Sequence, residues 1–208
     1  MATISKNGLK HGTIGDQVFY VVNGKQRVRA VAKKYTAPKK GSRVYASRSK
    51  FGVLSTLAHH LLPAIKIGFH KEALRAKSFE HNVFISVNGN NLDGDTIDYP
   101  RLVVSRGIVP APRFANLTLR KGGVLRVDFD PTLRSDKAEV VYLAVFCPDK
   151  EGFLLSDSVN RTEGRLKMRI PRSWLTHAVH AYGFARRTGL HTSPTEYLPV
   201  VTETRLQN

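Results

Sequence analysis

The chain has 208 residues, one cysteine, and 33 Lys+Arg against 16 Asp+Glu, a formal net charge of +17. With 41% hydrophobic residues it can bury a full core, which excludes a disordered tail, and the single Cys147 excludes a disulfide scaffold and a thiolate-rich metal site. Residues 1–6 lack the apolar run of a secretory signal, and no stretch approaches the ~18 apolar residues of a bilayer span, so a soluble cytoplasmic protein with no membrane partner is expected.

The charge is uneven. Residues 1–80 hold 16 Lys+Arg and 3 acids, whereas residues 81–208 hold 17 and 13. Between Asp16 and Glu72 there is no acid, and Lys25, Arg27, Arg29, Lys33, Lys34, Lys39, Lys40, Arg43, Arg48 and Lys50 fall within 26 residues. So many uncompensated cations repel one another in a compact chain. A polyanion removes that repulsion, and nucleic acid adds counterion release.

In chain order, Gly8, Gly12 and Gly15 give a flexible or tightly turning lead-in. Residues 17–22, Asn23-Gly24 and residues 25–31 then read as a β-hairpin with a type I′ turn. Alternation puts Arg27 and Arg29 on one face and Val28 and Ala30 on the other, and places Phe19 and Tyr20 on opposite faces. Residues 33–43 read as an extended basic connection, because Pro38 disfavours helix at Ala37 and Gly41 interrupts regular structure. Ser42 is a plausible N-cap for a helix whose apolar positions are Phe51, Leu54, Ala58, Leu61 and Ile65. Arg43, Arg48 and Lys50 crowd its first turns, against the helix dipole. Pro63 should end it near Leu62, and a second helical piece is expected over 64–78.

Residues 86–100, rich in Asn, Asp and Gly, read as a linker between a basic hairpin-helix module at 1–85 and a second domain at 101–208. There, strands are expected over 101–105, 116–120, 124–129, 139–146, 165–170, 178–186 and 195–201, which fits an antiparallel β-sandwich. The run 138–146 is the most apolar and belongs in the middle, while in 165–170 Leu166, Met168 and Ile170 face inward and Arg165, Lys167 and Arg169 outward. The fold class expected is therefore α+β.

No convergent catalytic set is legible, so an enzyme, a cofactor and a metal are not expected. Cys147 ends an apolar strand and reads as a buried structural thiol. The adjacent His59 and His60 point about 100° apart on a helix, and His177 and His180 fall in a turn-and-strand segment, so neither pair suits a metal. Asn88, Asn90, Asp93, Asp95 and Asp98 miss the spacing of a calcium loop. There is no Walker loop, no G-x-G-x-x-G after a strand and no G-x-S-x-G. The leading expectation is non-enzymatic nucleic-acid binding. The ten cations named above would contact phosphates, and Tyr35 and Tyr45, interleaved with them, could stack on bases. The alternatives are another polyanion, an acidic protein partner, or self-assembly with the basic arm inserted into a neighbour.

Some motifs of the first 70 residues are sharper. They are residues 12–20 (GTIGDQVFY), Asn23-Gly24-Lys25-Gln26 with Arg29, Ala37-Pro38-Lys39-Lys40, Arg48-Ser49-Lys50-Phe51 and Ile67-Gly68-Phe69. In them the chain resembles a family of small basic Bacteroidota proteins classed as a domain of unknown function, with similar openings in phage-like gene products. The resemblance implies a C-terminal immunoglobulin-like or fibronectin-like sandwich, supplies no catalytic residues, and makes the assembly alternative a phage-derived one.

Overall fold

In the computed structural model residues 3–4, 8, 10–22, 24–33, 36–115, 117–120, 122–131 and 138–202 are described. The chain forms two compact units, Met1–Ser42 and Arg43–Asn208.

The first unit is an antiparallel sheet of β1 (Thr3–Ile4), β2 (Lys10–Ile14), β3 (Gln17–Val22) and β4 (Lys25–Ala30), in that order. The β3–β4 register pairs Val22 with Lys25, Tyr20 with Arg27 and Val18 with Arg29. Gly24 has φ +72°, a value that glycine takes at no steric cost and that the expected tight turn demands; Asn23 lies outside the described residues. The expected hairpin is thus extended on one side by two further strands. None of residues 8, 10–22, 24–33 and 36–42 is buried.

The second unit begins with four helices: α1 (Arg43–His60), α2 (Leu62–Gly68), α3 (His70–Ala76) and α4 (Glu80–Asn88). Leu54, Leu57, Ala58, Leu61 and Ile65 are buried on one stripe, as helical spacing dictates. Phe51, expected on the same stripe, is 56% exposed, because the turns of α1 before Leu54 contribute no buried side chain. Pro63 lies in the first turn of α2, where its missing N–H costs least, and the bonds Leu61 N to Leu57 O and Ile65 N to Leu61 O carry the helical ladder past it. The expected piece at 64–78 is two short helices. Lys77, at φ +49°, ends α3.

Residues 86–100 lie inside this unit. They hold the end of α4, a small hairpin of β5 (Leu92–Asp93) and β6 (Thr96–Ile97), and a 3-10 turn at Tyr99–Arg101. Asn88 fastens the segment down: its buried amide donates to the carbonyls of Phe84 and Val103, and its oxygen accepts from Val103 N and Asn91 Nδ2.

Two facing sheets complete the unit. One contains β7 (Leu117–Arg120), β8 (Val124–Asp128), β12 (Arg165–Arg169) and β16 (Val200–Thr202). The other is centred on β9 (Glu139–Cys147) and β13 (His180–Arg187), flanked by β10 (Gly152–Leu155), β11 (Val159–Asn160), β14 (His191–Thr192) and β15 (Glu196–Leu198). All ladders are antiparallel except β16 with β7, which is parallel, so the sandwich departs from the wholly antiparallel expectation. Segment 102–109, expected to begin with a strand, is irregular. Its backbone is satisfied instead by Thr195 Oγ1, which accepts from Val104 N at 3.0 Å and Ser105 N at 2.6 Å, and by Gly68 O, which accepts from Arg106 N.

The β9–β13 sheet is covered on both faces. Val141, Leu143, Val145 and Cys147 pack with Leu117, Leu125, Val127 and Leu166 of the other sheet. Ala144, Phe146, Tyr182 and Phe184 pack against the helices through Leu54, Leu61, Ile65, Phe69 and Phe84. Each such large side chain, removed from water, contributes about 1.5–3 kcal/mol. The fold is α+β: the first unit is a small antiparallel sheet, and the second is a three-layer stack of helices, sheet and sheet. Among the described residues no helix is long and apolar enough to cross a membrane.

Candidate nucleic-acid interface

The candidate cations divide between the units. Lys25, Arg27, Arg29, Lys33, Lys39 and Lys40 belong to the first, and Arg43, Arg48 and Lys50, with Tyr45, to α1 of the second. Lys34 and Tyr35 lie outside the described residues.

On β4 the pleat sends Lys25, Arg27 and Arg29 to one face, all exposed and spaced about 6.6 Å apart, twice the strand rise. Cross-strand partners share a face, so Val18, Tyr20 and Val22 stand beside these cations, with Thr13 beyond Val18 on β2. Tyr20 and Val18 are half-buried there. The opposite face carries Phe19, Val21, Val28 and Ala30, with Ile14. Lys10 Nζ sits 5.6 Å over the Phe19 ring, and its backbone N–H donates to Gln26 Oε1 at 3.2 Å. Even so, Ile14 remains 49% and Val28 51% exposed. The sheet is two-sided: one face cationic with a tyrosine, the other largely apolar.

Lys33, Lys39 and Lys40 are exposed in the irregular segment after β4, where Ser42 N donates to Lys39 O at 3.0 Å. In α1, Arg43 and Arg48 are exposed, Lys50 is half-buried and Tyr45 is 40% exposed; the first turn holds no acidic residue. Ser49, between them, donates from Oγ to Asp95 at 2.7 Å.

Among the described residues, none of Lys25, Arg27, Arg29, Lys33, Lys39, Lys40, Arg43 and Lys50 is in an ion pair. Several carboxylates are engaged elsewhere. Glu139 takes Arg161 and Arg187, Asp130 takes Arg161, and Asp128 takes Arg126 and Arg165. Asp98 pairs with Arg101 and Glu72 with Arg106.

The histidines do not converge. His60 packs against Phe146, with its ring 6.4 Å from that of His59. His177 meets Asp149 at 2.9 Å, whereas His180 stacks on Tyr99 at 4.1 Å and bonds the Tyr197 hydroxyl at 3.0 Å. Burial holds the His180 imidazole below its usual pKa, favouring the neutral ring. Among the described residues no group of three potential ligands could hold a metal ion. Cys147 is buried at the end of β9, where desolvation raises its thiol pKa. Sequence reasoning missed a second cationic group in the second unit, whose members lie far apart along the chain.

No family model, curated protein or solved structure matches the chain.

Proposed function

We propose that this protein binds nucleic acid without catalysis, mainly through phosphate contacts made by the basic residues of its first 50 positions and therefore with little sequence selectivity. The observation that carries this reading is the β4 face. Three exposed cations at strand spacing stand beside Tyr20, and the described residues give them no ion pair. Unit charge complements the geometry, since Met1–Ser42 holds nine Lys and Arg and one acid, Asp16. A phosphate backbone neutralises such a row, and a tyrosine on the same face offers a ring to an unstacked base. Arg43, Tyr45, Arg48 and Lys50 offer the same chemistry separately, on α1 of the second unit. The reading places the protein in the cytoplasm, with an immunoglobulin-like or fibronectin-like sandwich as its carrier.

The test is fluorescence anisotropy on labelled oligonucleotides with the variant Lys25→Gln/Arg27→Gln/Arg29→Gln. Loss of three duplex phosphate contacts should flatten the log–log salt slope by about 2.7 and weaken binding alike across sequences. Wild-type binding by the variant, or strong dependence on sequence, contradicts the reading.

A second reading, a subunit of a phage-derived assembly, is favoured by the apolar face bearing Ile14 and Val28 and by the exposure of residues 10–22 and 24–33, none of which is buried. A small sheet with no core of its own gains stability from a neighbour. Multimers seen by light scattering without nucleic acid support assembly, whereas a monomer that shifts only with DNA or RNA supports the first reading.

A further inference from the structure

The second unit contains a cationic pocket that the basic opening does not explain. It has a volume of about 260 Å³ and is lined by Lys71, Glu72 and Arg75 of α3, Arg106 of the irregular segment, and His191 and Thr192 of β14. Three permanent cations meet one carboxylate there, from segments 31 to 116 residues apart in sequence.

The floor is rigid. Gly68 O accepts from Arg106 N at 3.1 Å and from Thr192 Oγ1 at 3.1 Å. Thr192 Oγ1 also reaches Arg106 O at 3.0 Å. A Cβ on Gly107 would lie 2.0 Å from Thr192 O, and one on Gly68 2.1 Å from Val104 O, so the backbones approach as only glycine allows. The walls are adjustable, since the Arg106 side chain is largely exposed and pairs with Glu72 Oε1 at 3.5 Å, a long distance for a charge-assisted contact.

Glu72 Oε2 is the decisive atom. It is buried and has no hydrogen-bond partner, alone among the buried side-chain polar atoms of the described residues. Buried acceptors are nearly always paired, because an unmade bond forfeits the desolvation cost. A carboxylate oxygen accepts hydrogen bonds, so the partner that suits Oε2 is a donor.

We propose that this pocket binds a small phosphate monoester carrying a free hydroxyl, a sugar phosphate in chemical class. The phosphoryl group is held by Lys71, Arg75 and Arg106, and the hydroxyl donates to Glu72 Oε2. Arg106 turns from its long pair with Glu72 Oε1 toward the phosphoryl oxygens, which it can grip with two N–H groups. The volume sits just below the ~300–1,000 Å³ of pockets for drug-sized ligands, which suits a pentose phosphate. The site stands independently of the nucleic-acid reading, since it uses none of residues 25–50.

Titration of the full chain, followed by amide chemical shifts and calorimetry, tests this with ribose 5-phosphate, inorganic phosphate and ribose as probes. Ribose 5-phosphate should bind about tenfold more tightly than inorganic phosphate, ribose alone should not bind, and shifts should centre on 71–75, 106–108 and 191–192. Glu72→Gln should erase the preference for the sugar phosphate while keeping phosphate binding. Arg106→Gln should weaken both phosphates, and Arg75→Gln on the exposed face of α3 provides a second variant should Arg106→Gln unfold. Equal affinity for the two phosphates, shifts confined to 25–40, no binding at millimolar ligand, or an unchanged preference in Glu72→Gln overturns the proposal.

Discussion

Replacing Glu139 by glutamine should destabilise the second unit more than any single surface change. The Glu139 side chain is 1% exposed at the start of β9. It accepts from Arg161 Nη1 at 3.0 Å and Arg187 Nε at 2.7 Å, with Arg187 Nη2 in close contact as well. Arg161, itself 6% exposed, also donates to Pro110 O at 3.0 Å and to Asp130 Oδ1 at 3.2 Å. The network ties the loop before β7 and the turn after β11 to the central sheet. Glutamine keeps the volume but removes the charge, leaving a buried guanidinium undercompensated. Breaking a buried pair costs about 3–5 kcal/mol, and the lower end applies because Arg187 is a third exposed and can rehydrate. For a unit of this size about 3 kcal/mol corresponds to a fall in Tm of roughly 6–12 °C. Circular dichroism during thermal and urea unfolding reads this directly. A shift below about 1 kcal/mol would refute the claim that this carboxylate holds the two arginines. The apolar replacement Glu139→Leu/Arg161→Met/Arg187→Met should cost less than Glu139→Gln alone, since no charge is then left buried.

Two further outcomes follow from titratable groups. Asp128 is held below the usual carboxylate range first by the hydrogen bond from Arg165 Nε at 2.6 Å; partial desolvation opposes this and Arg126 assists it. A depressed folded pKa gives stability that is present above the unfolded Asp range and is lost as pH falls through the folded value. Asp128→Asn should therefore flatten the acid limb of stability against pH, at a neutral-pH cost under about 1 kcal/mol because the pair is exposed and screened; an unchanged acid limb counts against it. The Cys147 thiol, raised by burial, should stay unlabelled by Ellman's reagent in the folded protein and react once in denaturant, whereas stoichiometric labelling of native protein would show an accessible thiolate.

The hairpin was legible because Asn-Gly between two β-branched runs fixes both turn and register, and the two-faced pattern of β4 follows from that register alone. The buried stripe at Leu54, Ala58, Leu61 and Ile65 was legible for the same kind of reason, a helical period. Phe51 fits that period yet is exposed, since periodicity says which side a residue takes and not where along the helix the neighbouring layer begins. Residues 86–100 have the composition of a linker, but composition cannot separate a loop that leaves the core from one pinned to it by a buried Asn88. Arg161 lies within a glycosylation sequon, Asn160-Arg161-Thr162. In the structure Asn160 caps a 3-10 turn instead, and Arg161 enters the core, a role set by the distant Glu139. The Lys71, Arg75 and Arg106 pocket was invisible for a similar reason, as no local pattern joins α3 to β14.

The most direct test of nucleic-acid binding is the salt dependence of affinity for a duplex measured on the intact protein. With about six of the cations between Lys25 and Lys50 on phosphates, log K against log salt should fall with a slope near −5, and near −4 on a single strand. A slope near zero, or no binding at low salt, would contradict the account.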